Sequence, residues 1–134
     1  MTRPLTHAPA WLRPIMADAA QYEVERRERL WPDKVKAGQL TAEEADADYA
    51  AWVAIRALLA GERPNWPFTW DDLADTADRA VTAAEARLDK APDDERRVLL
   101  LRALEHIALR LAWIRDGLAD LNRRLREHAE RKAA

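Results

Sequence analysis

Residues 93–132 carry the most regular apolar pattern in the chain. Their apolar residues alternate between steps of four and three. They are Leu100, Leu104, Ile107, Leu111, Ile114, Leu118, Leu121 and Leu125. No proline follows Pro92, and Gly117 is the only glycine in the stretch. This spacing predicts one long helix with a coiled-coil-like row of apolar side chains, which we call the seam. His128 continues it.

A second helix is predicted over 69–90. The Thr69 hydroxyl can cap it, and Asp71 and Asp72 lie in its first turn, where the helix dipole favours negative charge. Its apolar stripe is Trp70, Leu73, Ala77, Val81, Ala84 and Leu88. The turn that follows is short, so the helix over 93–132 should return antiparallel. Pairing residues whose numbers sum to about 184 sets small side chains against large ones in nearly every layer.

The first sixty residues predict two or three shorter helices. One begins after Pro14 and runs to about Trp31, after which Pro32 either kinks it or begins a short second helix. Gly38 ends that segment as a C-cap. The predicted inner face is Ile15, Ala19, Tyr22, Arg26 and Leu30.

The next helix has the clearest start signal in the chain. Thr41 and Glu44 have the spacing of a capping box, in which each side chain bonds the backbone N–H of the other residue. The helix should run to about Ala60, and Gly61 should stop it.

These elements predict one all-α domain over 1–134, a helical bundle built on the hairpin of 69–90 and 93–132. An irregular arm, 1–13, is expected to contact the core through Trp11 and Leu12. A crossover, 62–68, carries Trp66 and Phe68 between prolines. We expect these two aromatic side chains to be buried at the end of the bundle, where they would act as a plug. The alternative is that they form an aromatic recognition loop.

The length of the last helix poses a packing problem. Roughly 38 residues extend about 57 Å, whereas a compact chain of this size is roughly 36 Å across. Leu118, Leu121 and Leu125 lie beyond the hairpin partner. Either the helices of 15–60 cover them, or a kink at Gly117 folds the end back, or another chain does. A parallel self-pair would bring Arg110 against Arg115, so an antiparallel self-pair or an acidic partner helix is favoured.

Composition removes several classes of function. The net charge of −2 gives no field attracting nucleic acid or acidic membranes. Without cysteine there is no disulfide, thiolate metal site or thiol catalysis. No apolar run is long enough for a membrane span or a signal sequence, which predicts a cytoplasmic protein. No glycine-rich phosphate loop or nucleophile elbow is present, and we expect no enzyme activity and no cofactor.

Two charged patterns retain alternative interpretations. A basic tip, Arg123, Arg124, Arg126, Arg131 and Lys132, suits phosphate contacts on nucleic acid, or simply the cation preference of a helix C-terminus. The pairs Glu25/Glu28 and Glu43/Asp46 have the spacing of the acidic motifs in all-α nucleotide pyrophosphatases of the MazG and dimeric dUTPase type, which would bind magnesium. We favour the ordinary interpretation of both and expect no metal site.

Residues 27–59 carry a recognisable order of features. Arg27 precedes the aromatic-proline pair Trp31-Pro32, which is followed by Val35, Gly38 and an alanine-rich helix. This segment resembles one found in uncharacterised small helical proteins of bacteriophages and prophages, and the resemblance implies a mobile-element context without a known chemistry.

The sequence therefore favours a non-enzymatic interaction protein that binds a protein partner or itself through helix faces. An inhibitor of a host defence complex is one instance. The interaction residues expected are the seam end, Leu118, Leu121, Leu125 and His128. The alternatives are a nucleic-acid-associated accessory protein and a magnesium-dependent pyrophosphatase. No membrane partner is expected.

Overall fold

The computed structural model describes residues 8–62 and 66–133, and within these ranges it contains helices and no strand. Helix α1 spans Arg13–Lys36, α2 spans Ala42–Leu59, α3 spans Trp70–Asp89 and α4 spans Glu95–Ala133. The predicted all-α class is confirmed, with four helices.

Two capping boxes fix the starts of α2 and α3. The hydroxyls of Thr41 and Thr69 accept from the backbone N–H groups of Glu44 and Asp72, each at 3.0 Å. The two carboxylates accept in return from the threonine N–H groups, also at 3.0 Å. These bonds satisfy backbone donors that a helix start leaves free.

Glycines follow the ends of α1 and α2. Gly38 has a φ of +75° and Gly61 a φ of +83°. This is the left-handed backbone conformation, which residues with a Cβ rarely adopt. Each comes directly after a C-cap residue, Ala37 or Ala60, so the predicted stops are confirmed.

Helix α1 departs from the sequence prediction in two ways. It is continuous through Pro32. Proline has no N–H to donate to the carbonyl of Glu28, but Glu28 is exposed and Pro32 lies in the last turns, so the loss does not break the helix. Its buried face is also rotated relative to the predicted one, and Tyr22 is 39% exposed. The buried residues are Met16, Ala19, Ala20, Glu23, Val24 and Arg27.

The four helices contact one another as a ring. Helices α1 and α3 each pack on α2 and α4, and the α3–α4 contact is the most extensive. Trp52, Leu73, Leu104 and Ile107 are at most 1% exposed in a core otherwise rich in alanine. Small side chains let the helix axes approach closely, which favours dense packing around the few large residues.

Two contacts join α3 to α4 near their ends. The Arg97 guanidinium donates to the carbonyl of Arg87, and Arg115 Nε lies 3.6 Å from Asp71 Oδ1. Residues 116–133, which we call the overhang, extend beyond this last contact.

Burial along the seam ends where the overhang begins. Leu111 is 2% exposed, whereas Leu118, Leu121 and Leu125 are 39%, 50% and 57% exposed. Helix α4 is unbroken at Gly117. Among the described residues, neither the helices of 15–60 nor a folded-back end covers these leucines, so both of those expectations are wrong.

The arm and the crossover are described in part, because residues 1–7 and 63–65 lie outside the described ranges. Leu12 is buried in the core as expected, but Trp11 is 58% exposed and does not anchor the arm there. Trp66 and Phe68 are half-buried and pack against the core. This burial agrees with a plug at the bundle end and leaves little aromatic surface for recognition.

Replacing Thr69 with alanine should lower the free energy of unfolding by about 1 kcal/mol, because the substitution leaves the N–H of Asp72 without its hydroxyl acceptor. Urea denaturation measures the change. The matched control is Thr82→Ala on the same helix, whose hydroxyl donates to the Asp78 carbonyl on the exposed face. It should alter stability by less than ~0.5 kcal/mol. Equal effects would contradict the capping role.

The pKa of Glu44 should lie below its ordinary value. The main cause is the hydrogen bond that the carboxylate accepts from the Thr41 backbone N–H, and the interaction with the Thr41 hydroxyl adds to it. A lowered pKa stabilises the fold above the unfolded-state pKa, and the contribution disappears as the pH falls through the folded-state value. Thr41→Ala should raise the Glu44 pKa part of the way, and Thr41→Ser should not. Carboxyl NMR titration decides, and an unchanged pKa in Thr41→Ala would contradict the assignment.

Candidate functional site

The uncovered half of the seam is an exposed row of leucines that continues a buried one. Ile114 is half-buried at the bundle rim, and the three overhang leucines continue its row on the same face. From Ile114 to exposed His128 the strip is about 21 Å long at ~1.5 Å per residue. It is an apolar helix face that begins at the core and ends in solvent.

Positive charge borders this strip. In a heptad assigned to the seam, the flanking positions between 110 and 131 carry four arginines and no acid. The charged residues are Arg110, Arg115, Arg124 and Arg131, and the uncharged ones are Gly117, Asn122 and Ala129. The face is therefore apolar along its centre and cationic at its edges.

Acids of the same helix partly balance the basic tip. Arg123 donates to Asp120 and to Glu127, and Arg124 Nε lies 3.1 Å from Asp120 Oδ2. The hydrogen bond to Asp120 raises the pKa of Arg123 above its ordinary value. These exposed pairs reduce the net charge that the tip presents to a phosphate backbone.

The four acids of the proposed magnesium motifs lie on the exposed surface. Glu25 accepts from Gln21 at 2.8 Å, Glu28 accepts from the Tyr49 hydroxyl at 3.3 Å, and Glu43 and Asp46 lie near the start of α2. Within residues 8–62 and 66–133, no group of three or more His, Asp or Glu side chains is arranged to bind a metal ion. The inward-facing acids that this motif requires are not at these positions.

A buried ion cluster joins α1 to α2 instead. The Arg27 guanidinium is 2.7 Å from Glu23 Oε1 and donates through Nε to Asp48 Oδ2. The side chains of Arg27, Glu23 and Asp48 are 7%, 2% and 17% exposed. Burial of charges at this level is tolerated only with close pairing and further hydrogen bonds.

Two tryptophans complete the surroundings of Arg27. Its guanidinium carbon lies 5.1 Å from the ring centre of Trp31 and 5.2 Å from that of Trp52. Trp31 Nε1 also donates to Asp48 at 3.1 Å. The cation thus has aromatic and carboxylate partners together, which lowers the cost of its burial.

The sequence prediction missed this cluster, although Glu23, Arg27 and Trp31 follow one another at intervals of four. That spacing stacks them on one helix face. The predicted inner face contained Arg26, one position away from the buried arginine.

The cluster forms part of the wall of a cleft between α1, α2 and α3. The cleft has a volume of about 810 Å³, within the range of small-ligand sites. Apolar side chains and both signs of charge line it. Glu23, Arg26 and Arg87 lie along its wall, and Glu44, Asp72 and Asp75 contribute acids.

Comparison with known proteins finds no matching family model, curated protein or solved structure. None of the four helices, within the described residues, has the apolar length that crossing a membrane requires.

Arg27→Met should lower the free energy of unfolding by about 3–5 kcal/mol, because Glu23 and Asp48 would then lose their shared buried cation. Chemical denaturation followed by circular dichroism measures the loss. Arg29→Met removes the same charge two residues away on an exposed position, and should change stability by less than ~0.5 kcal/mol. If the two variants lose similar stability, the cluster is not the main link between α1 and α2.

Proposed function

We propose that this chain is a non-enzymatic interaction protein that binds an amphipathic helix of a partner protein along the overhang. The observation that carries the proposal is the exposure of Leu118, Leu121 and Leu125 in direct continuation of the buried seam. A solvent-exposed helix face with regularly spaced leucines is typical of a surface that pairs with another helix.

The charges favour an acidic partner over a second copy. Any self-pairing, parallel or antiparallel, can set the flanking arginines only against arginines or uncharged residues, since no acid occupies a flanking position between 110 and 131. A partner helix with glutamate or aspartate beside its own apolar seam would pair with Arg110 and Arg131, and would compete with Asp120 for Arg124.

The magnitude of burial sets the minimum size of the partner. Full burial of a leucine is worth ~1.5–3 kcal/mol, and about half remains to be gained at each of the three. Their covering contributes roughly 2–4 kcal/mol, whereas association costs at least ~4 kcal/mol. The partner must therefore supply its own apolar residues and reach Ile114 at the rim.

The resemblance of residues 27–59 supports a phage or prophage setting for this activity, in the cytoplasm of a bacterial cell. Inhibition of a host defence complex is one form that partner binding could take there. The proposal also assumes that α3 and α4 pair antiparallel, with facing residue numbers that sum to about 184. This register sets where the overhang begins.

The two alternative functions have less support. Nucleic-acid binding by the tip competes with the ion pairs of Arg123 and Arg124 to Asp120. A magnesium pyrophosphatase would need Glu25, Glu28, Glu43 and Asp46 to converge, and all four are exposed on the surface.

A designed helical peptide with leucine seam positions and glutamate flanks should bind the full-length chain and weaken with added salt. The same peptide with lysine flanks should bind at least tenfold more weakly, because it opposes the arginines. Leu121→Glu should abolish binding. Ala119→Glu, which adds the same charge on the opposite face of the overhang, should retain it. Fluorescence anisotropy measures all four, and equal binding of both peptides would overturn the charge argument.

Light scattering separates the partner proposal from self-association. An acidic partner predicts a monomeric wild-type protein at micromolar concentration, with Leu121→Glu also monomeric and similarly stable, because this leucine lies outside the core. A wild-type dimer that Leu121→Glu dissociates would replace the acidic partner with a second copy.

A further inference from the structure

The cleft between α1, α2 and α3 contains two buried polar atoms that lack hydrogen-bond partners among the described residues. They are Glu23 Oε2 and Arg87 Nη2. Glu23 is 1% exposed, and its other oxygen binds Arg27. Both residues line the cleft. An unpartnered buried acceptor and an unpartnered buried donor on one cavity wall cost free energy unless something in the cavity bonds both.

A second arginine strengthens the cationic side of this wall. Arg26 is half-buried, lines the same cleft and has no ion pair within the described ranges. Burial lowers the pKa of Arg87, and the nearby positive charge of Arg26 lowers it further. Two neighbouring guanidinium groups that destabilise one another favour an anion between them.

The remaining acids of the cleft have partners or lie elsewhere. Asp48 is paired with Arg27, and the Glu44 carboxylate accepts from the Thr41 backbone N–H at the start of α2. Asp72 and Asp75 precede Arg87 by 12–15 residues on α3, which places them roughly 18–22 Å away along the helix axis. The wall formed by Glu23, Arg26 and Arg87 is therefore cationic locally, with one carboxylate oxygen that can only accept.

We propose that this wall binds a phosphoryl group, free or carried by a small organic molecule. The oxygens of a phosphoryl group accept from Arg26 and Arg87, and its P–O–H donates to Glu23 Oε2. Inorganic phosphate retains such a proton at neutral pH, and a phosphomonoester retains one as its monoanion, below a second pKa of about 6. Sulfate and simple carboxylates have no such proton at neutral pH, so the buried Glu23 acceptor would reject them. This site is independent of the helix-binding overhang and neither requires the other.

The size of the cleft favours a phosphate carried on an organic group. Phosphate alone occupies a small part of about 810 Å³. The rest is lined in part by Leu40, Phe68, Ala80 and Ala83, against which an apolar or planar group can pack.

Calorimetric titration of the protein tests the proposal, using inorganic phosphate, adenosine monophosphate, sulfate and glycine at constant ionic strength in a cationic buffer at about pH 6, where the phosphomonoester keeps a proton. Phosphate should bind at least tenfold more tightly than sulfate. Adenosine monophosphate should bind more tightly than phosphate if the carrier is organic, and equally if the ligand is inorganic phosphate. Glycine tests a zwitterion as the alternative donor and acceptor, and its preferential binding would overturn the assignment.

Substitutions place the binding on the cleft wall. Arg26→Gln should weaken phosphate binding about tenfold or more, whereas Arg29→Gln, an equal loss of charge on the exposed side of α1, should not. Glu23→Gln is isosteric and can donate, so it should narrow the preference for phosphate over sulfate; circular dichroism confirms that each variant folds. If phosphate does not bind at millimolar concentration, or binds Arg26→Gln unchanged, water alone satisfies these two atoms and the proposal fails.

Discussion

The length difference between α4 and its neighbours determines both the shape of this protein and its exposed chemistry. Helix α4 has 39 residues, about 58 Å, whereas α1, α2 and α3 have 24, 18 and 20, or about 27–36 Å. Three shorter helices can surround only part of such a rod. Its first half completes the ring of contacts, and its second half extends beyond Arg115.

The periodicity of the seam predicts which side chains share a face, and that prediction extends correctly from Leu104 to Leu111. The same pattern cannot predict where cover ends, because burial of a leucine depends on residues distant in sequence. The steps of four and three are unchanged between Ile107 and Leu125, yet exposure rises from 1% to 57%. Helix starts were predicted correctly at Thr41 and Thr69, because a capping box depends on only a few neighbouring residues.

Helix α1 shows the opposite case, in which the polar pattern concealed the core. Its buried face includes Glu23 and Arg27, which an apolar periodicity treats as solvent-facing. The charges are held there by Asp48 on α2 and by the rings of Trp31 and Trp52. These partners come from two helices, so the cleft that Trp31 and Asp48 line could not be located before α1 and α2 were placed together.

The two surfaces differ in the type of partner that their physics allows. The overhang is open, so its leucines and arginines can contribute only when a second helix excludes water from a long strip; specificity there depends on the pattern of partner charges. In the cleft, Glu23 is already buried, so a ligand with few atoms would suffice, and the unpaired oxygen of Glu23 would discriminate by requiring a donor. Arg27 binds the other carboxylate oxygen of Glu23 and also ties α1 to α2. A ligand bound at Glu23 would therefore stabilise the bundle without contacting α4 beyond Arg115.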